Sequence, residues 1–130
     1  MNRADRYREI VPDFEAFQEV QCLTLCNSCR INTLKIKKDV LQNRFDNQGI
    51  RYRIFDWYPL GLKLDTDSPG KMSEAILGYI HIQEELSMVP PVVLNPQPGE
   101  QVLDLCAAPG SKTTQISQMM MNKGLVVANE

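Results

Sequence analysis

With one histidine, no long apolar run and a net charge of only -2, the 130-residue sequence lacks the material for several function classes. His81 has no second histidine to join it around a metal, so it reads as a packed or surface residue and no metal site is expected. No apolar run approaches the roughly 18 residues that a bilayer span needs. The start, Met1 to Glu9 with Arg3, Asp5, Arg6 and Arg8, also lacks the apolar core of a signal peptide. The expected location is therefore cytoplasmic, or nuclear or nucleolar in a eukaryote. Four cysteines, three of them packed between Cys22 and Cys29, do not make a disulfide framework and read as reduced thiols. Internal repeats and low-complexity segments are absent. What remains, 43% hydrophobic and 23% charged, is an ordinary globular composition of about one domain's length.

The small net charge hides an asymmetry. Residues 1–72 carry 12 Lys/Arg and 10 Asp/Glu, whereas 73–130 carry 2 and 6. Between Arg30 and Arg53 stand Arg30, Lys35, Lys37, Lys38, Arg44, Arg51 and Arg53 against Asp39 and Asp46 only. Such a stretch can meet phosphate or form a solvated helix face, and charge alone leaves both readings open.

Along the chain, Tyr7, Ile10, Val11, Phe14 and Phe17 recur at helical spacing from Arg3 to Val20, with a break into two short helices at Pro12 and Asp13. Cys29 to Asn32 reads as a short strand. Lys38 to Asn47 reads as a helix with Val40, Leu41 and Phe45 inward, capped by Gly49. Strands over Arg51 to Phe55 and Leu60 to Leu64, joined by a turn at Asp56 to Pro59, complete a small α+β unit. The turn residues Asp65 to Gly70 mark a boundary, giving an N-terminal unit over 1–70 and a second over 71–130. In the second, Ser73 to Leu77 and Gln83 to Val89 look helical, Pro90 and Pro91 perturb the latter near its end, and Asn95 to Gly99 is a loop. Gln101 to Leu105 reads as a buried strand, followed by small residues, a helix to about Asn122 and a second buried strand, Leu125 to Glu130. That is one β-α-β unit.

A strand, a tight turn of small residues, a helix and a strand ending in a carboxylate can hold an adenosine-containing cofactor at the carboxyl end of a parallel sheet. Ala107, Ala108 and Gly110 let backbone approach a ligand, and the open amides at the next helix start attract an anion. Glu130 sits where an acidic side chain accepts from ribose hydroxyls. A tight turn without a ligand has the same local pattern. A phosphate-binding P-loop fails, because its glycine positions hold Ser111 and Cys106.

The string Leu103-Asp104-Leu105-Cys106-Ala107-Ala108-Pro109-Gly110-Ser111-Lys112-Thr113 resembles the first cofactor motif of the Nol/Nop/Sun family of RNA cytosine 5-methyltransferases. Likeness extends to Leu77 through Pro91 and to Arg30-Ile31-Asn32-Thr33-Leu34-Lys35. The resemblance implies an α/β protein: a small α+β, RNA-recognition-like domain (1–70) followed by the start of a Rossmann-like methyltransferase domain (71–130), its sheet incomplete. It implies S-adenosyl-L-methionine as cofactor, with Cys106, Ala107, Ala108, Pro109, Gly110, Ser111 and Lys112 along its methionine and adenosine moieties. Glu130 would hold the ribose, and transfer or ribosomal RNA would be the partner. Asp104 either orients the loop through backbone amides or touches the ligand.

Methylating carbon 5 of cytosine requires a thiolate that adds to the adjacent ring carbon. The resemblance places that cysteine beyond Glu130, so no catalytic residue is expected in this chain, and the chain alone is expected to be inactive. Cys106 fits a small packed side chain of the loop instead. Cys22, Cys26 and Cys29 have spacing compatible with an iron–sulfur cluster, but without surrounding glycines they read as small core residues. A non-catalytic RNA-binding or assembly module with a retained cofactor loop is the alternative.

Overall fold

The computed structural model describes residues 4–23 and 26–130. Arg3, the start of the first expected helix, lies outside the described residues. A 3-10 turn, Asp5–Tyr7, precedes helix α1, Phe14–Gln21, and the Asp13 carboxylate caps α1 by accepting from the Ala16 amide at 3.0 Å. The break at Pro12 and Asp13 is thus a capping signal as well as a proline effect.

Four short strands follow: β1 (Ser28–Ile31), β2 (Tyr52–Ile54), β3 (Gly61–Leu64) and β4 (Ile80–Ile82). They form one sheet in the order β2-β3-β1-β4, antiparallel throughout. Strand β4 was not expected. Its three residues carry too little alternation to be read locally, and its partner β1 lies about fifty positions earlier in the chain, with Arg30 opposite His81. The sheet therefore draws on residues from both sides of the Asp65–Gly70 turn.

Helix α2, Lys38–Gln48, ends on Gly49 in the left-handed region at φ 69°. It lays Leu41 and Phe45, one helical turn apart, onto Cys29, Ile31, Leu62, Leu64 and Ile80. Val40 faces the other way and is 45% exposed, because a helix turns by about 100° per residue and only the Leu41 to Phe45 stripe meets the sheet. Helix α3, Ser73–Ile76, docks on α2 through buried Glu74. Its carboxylate accepts from Arg44 Nη2 at 3.0 Å, Gln48 Nε2 at 2.9 Å and Ser73 Oγ at 2.9 Å.

In place of a helix over Gln83 to Val89, a 3-10 turn (Leu86–Met88) leads into α4, Val89–Leu94. Pro90 and Pro91 occupy the first turn of α4 rather than disturbing the end of a helix. First-turn amides have no helical acceptor, so proline costs nothing there.

The β-α-β unit forms as read: β5 (Gln101–Asp104), α5 (Ser111–Met119) and β6 (Leu125–Ala128), with β5 and β6 parallel. Its strands are not buried, however. Leu103, Leu125 and Val127 are 59%, 51% and 49% exposed, since a single helix covers only one face of a two-stranded ladder. Helix α5 lies on the face of the four-stranded sheet opposite α2, joined to it by Arg30, Gln83, Gln115 and Gln118.

Candidate cofactor-binding site

The parallel register runs from Gln101 beside Leu125 to Asp104 beside Ala128, so both strands end together. Beyond them the chain curls back. The Ala107 amide donates to the Asn129 carbonyl at 3.0 Å, and the Gly110 amide to the Ala107 carbonyl at 2.6 Å. The Ala108–Pro109 bond is cis. Gly110 has φ 103°, a conformation that glycine adopts without strain, and a Cβ added there would meet nothing within 4 Å. The space in front of its backbone is open.

Two carboxylates shape this loop. Asp104 accepts from the Cys106 amide at 3.2 Å and from the Thr113 hydroxyl at 2.6 Å, tying the strand end to the first turn of α5. Glu130 accepts the Ala108 amide at 2.9 Å. A carboxylate has about four acceptor sites, so each keeps capacity beyond these bonds. Opposite them, the first i to i-4 bond of α5 is Thr114 to Gly110, at 2.9 Å. The amides of Ser111, Lys112 and Thr113 therefore precede the helical ladder, at the positive end of the helix dipole.

The structure thus gathers Cys106, Ala107, Ala108, Pro109, Gly110, Ser111, Lys112 and Glu130 around one turn. Cys106 is exposed, not packed, because the turn carries it outside the cover of α5. Thr113, Asn129 and His81 were missed. Thr113 ends the motif string without having been given a role, and Asn129 adjoins Glu130; they hold Asp104 and Ala107. His81, on β4, reaches Ser111 Oγ with its Nε2 at 3.2 Å, which only the β4–β1 pairing makes possible.

The other cysteines separate. Cys29 is fully buried in the sheet core, and that burial pushes its thiol up to about 12, which keeps it protonated and inert. Cys22 and Cys26 are exposed, so the core reading fails for them: one follows the end of α1 and the other precedes β1. The basic stretch is not one surface either. Arg30 is 2% exposed beneath α5, while Arg44, Arg51 and Arg53 pair with Glu74, Asp65 and Asp56. Lys35 donates to the Leu77 carbonyl at 3.1 Å.

Residues 91–130 match the family model described as 16S rRNA methyltransferase RsmB/F. The chain is 41% identical over 130 residues to a tRNA (cytosine(49)-C(5))-methyltransferase of Pyrococcus abyssi, covering 97% of the chain and 41% of that relative. It is 39% identical over 104 residues to a 26S rRNA (cytosine-C(5))-methyltransferase, nsun-1, of Caenorhabditis elegans, covering 78% of the chain and 16% of that protein. The chain belongs to the Nol/Nop/Sun family. A methyltransferase homologue from Pyrococcus horikoshii superposes with a TM-score of 0.83 at 37% identity, over 95% of this chain and 42% of that one. NSun6 of the same organism, at 18% identity and a TM-score of 0.81 over 96% of this chain and 57% of that one, shares the fold. The chain therefore spans less than half the length of the curated family members cited, and the turn from Asp104 to Thr113 falls inside the matched segment.

Proposed function

We propose that the protein carrying this chain transfers a methyl group from S-adenosyl-L-methionine to carbon 5 of cytosine in transfer or ribosomal RNA. The observation that supports it most is the turn from Asp104 to Thr113 with Glu130 closing it, in a chain whose relatives are RNA cytosine methyltransferases. The residues present fit the cofactor. Open space before Gly110 admits a ligand against backbone, the three helix-start amides suit a carboxylate, and Glu130 suits paired hydroxyls.

The cofactor, when bound, supplies an electrophilic methyl group. Cys106 to Lys112 line its methionine and adenosine moieties, and Glu130 holds the ribose while keeping the Ala108 amide in place. Asp104 orients the loop by holding Cys106 and Thr113, and so positions the turn without touching the reacting atoms. The family resemblance assigns the thiolate that adds to cytosine to a segment outside this chain, and Cys106 is assigned to the cofactor turn rather than to that role. We assign RNA contact to the N-terminal unit over 1–70, whose sheet β4 completes.

Tritium transfer from labelled S-adenosyl-L-methionine to RNA by the full-length protein tests this. Label should appear at carbon 5 of cytosine and vanish on Gly110→Val. Label on another base or on protein, or persistent transfer in that variant, refutes the reading.

A further inference from the structure

Arg30 is a buried cation, 2% exposed, whose guanidinium meets no carboxylate among the described residues. Its Nε donates to Gln83 Oε1 at 3.2 Å, one terminal nitrogen to Thr114 Oγ1 at 3.1 Å and the other to Gln118 Oε1. All three acceptors are neutral, and among the described residues no carboxylate forms an ion pair with it. Buried charges are ordinarily paired, because hydrogen bonds to neutral groups recover only part of the solvation lost on burial. These bonds give each guanidinium nitrogen one partner but leave the positive field.

That field opens into a cavity. A space of about 310 Å³ lies between the β1–β4 edge and α5, lined by Arg30, Asn32, Lys35, His81, Ser117 and Asn122 among others. None of its lining residues is acidic. Lys35 has an ammonium with three donors, of which the Leu77 carbonyl takes one. His81 stands at the end nearest the cofactor turn, bonded to Ser111, the first residue of α5. Burial, followed by the charge of Arg30, lowers the pKa of His81 and favours a neutral ring at pH 7. The groups facing it are Arg30 from β1, Lys35 from the β1–α2 connection, and Ser111 and Thr114 from α5.

We infer that this cavity receives a backbone phosphate of the RNA substrate, with Lys35 at its mouth and Arg30 supplying the positive field from its floor. The inference rests on the RNA reading above and adds to it a place: the strand is anchored along the side of α5 that carries Thr114 and Ser117, with His81 bonded to Ser111. A volume of about 310 Å³ exceeds what a bare phosphate needs and suits a phosphate with its sugar.

His81 is the single histidine of the sequence, so its imidazole resonances report on this cavity without ambiguity. The 130-residue chain is titrated with pH by NMR, alone and with inorganic phosphate or a single-stranded oligoribonucleotide, while filter binding follows the RNA separately. The titration midpoint of His81 should rise with the oligoribonucleotide, because a nearby anion favours the imidazolium. Lys35→Glu, at an exposed position, should suppress the rise and reduce the salt slope of RNA binding by about 0.7. Arg30→Gln should do the same if it folds; the lysine variant decides the matter if it does not. RNA binding with an unmoved His81, or a rise that survives Lys35→Glu, overturns the site and leaves the methyltransferase reading intact. A response to inorganic phosphate without one to RNA also overturns it, leaving a free-phosphate site. Absence of any RNA binding overturns the site, while the tritium transfer by the full-length protein decides the RNA reading separately.

Discussion

Replacing Glu130 with alanine removes two things at once. Its carboxylate accepts the Ala108 amide at 2.9 Å, and in the proposed complex it also accepts from the ribose hydroxyls. The tether is exposed, so its loss in the free protein matters little to stability, and the variant should unfold within about 0.5 kcal/mol of the parent. Cofactor binding is different. Hydrogen bonds to a charged acceptor contribute about 1.5–3 kcal/mol, which corresponds to a loss of affinity of roughly 10- to 150-fold. Because the turn is also released, the loss should lie toward the upper end, whereas Glu130→Gln, which keeps a carbonyl oxygen facing Ala108, should fall between alanine and the parent. Isothermal titration of the full-length protein with S-adenosyl-L-methionine measures all three. Parental affinity in Glu130→Ala would remove Glu130 from the cofactor site, and equal losses in both variants would show that charge rather than the tether to Ala108 decides.

Gly110→Val should nearly abolish cofactor binding while folding is retained, since a β-branched residue at φ 103° is strained and its side chain fills the space the ligand needs; titration with circular dichroism as a fold control checks this. Gly124→Ala should destabilise by about 1–3 kcal/mol in urea unfolding, because φ is 117° and the new methyl group would collide with the Glu100 carbonyl and the end of Met120. Burial pushes the Glu74 carboxyl up, but hydrogen bonds from Gln48, its own backbone, Ser73 and Arg44 outweigh this and hold it below the usual 4.5. The stability it contributes is therefore present above that value and is lost as pH falls through the depressed one. Glu74→Gln should cost about 1.5–3 kcal/mol at pH 7 and flatten the loss of stability in acid, as followed by urea unfolding from pH 7 to pH 3.

The sequence by itself determined whatever depends on near neighbours in the chain. Helix α2 and its Gly49 end, the start of α1 at Asp13, the β2–β3 hairpin and the β5-α5-β6 unit with its turn are all written in spacings of a few residues. Propensity, capping and glycine geometry act over that range. The geometry of the turn proposed for the cofactor was legible for the same reason: strand, small residues and helix start are contiguous, and Glu130 follows just past the next strand's end. Only the tertiary structure decided what depends on packing between distant segments. It placed β4 beside β1, turned Val40 outward, left Leu103 and Val127 uncovered, and put Cys29 in the core while Cys22 and Cys26 stayed outside. It also moved Arg30 from an apparent basic surface to the floor of a cavity under α5. Periodicity states that a residue can face a core but not which face another element will cover, and a formal charge does not reveal whether water or protein surrounds it.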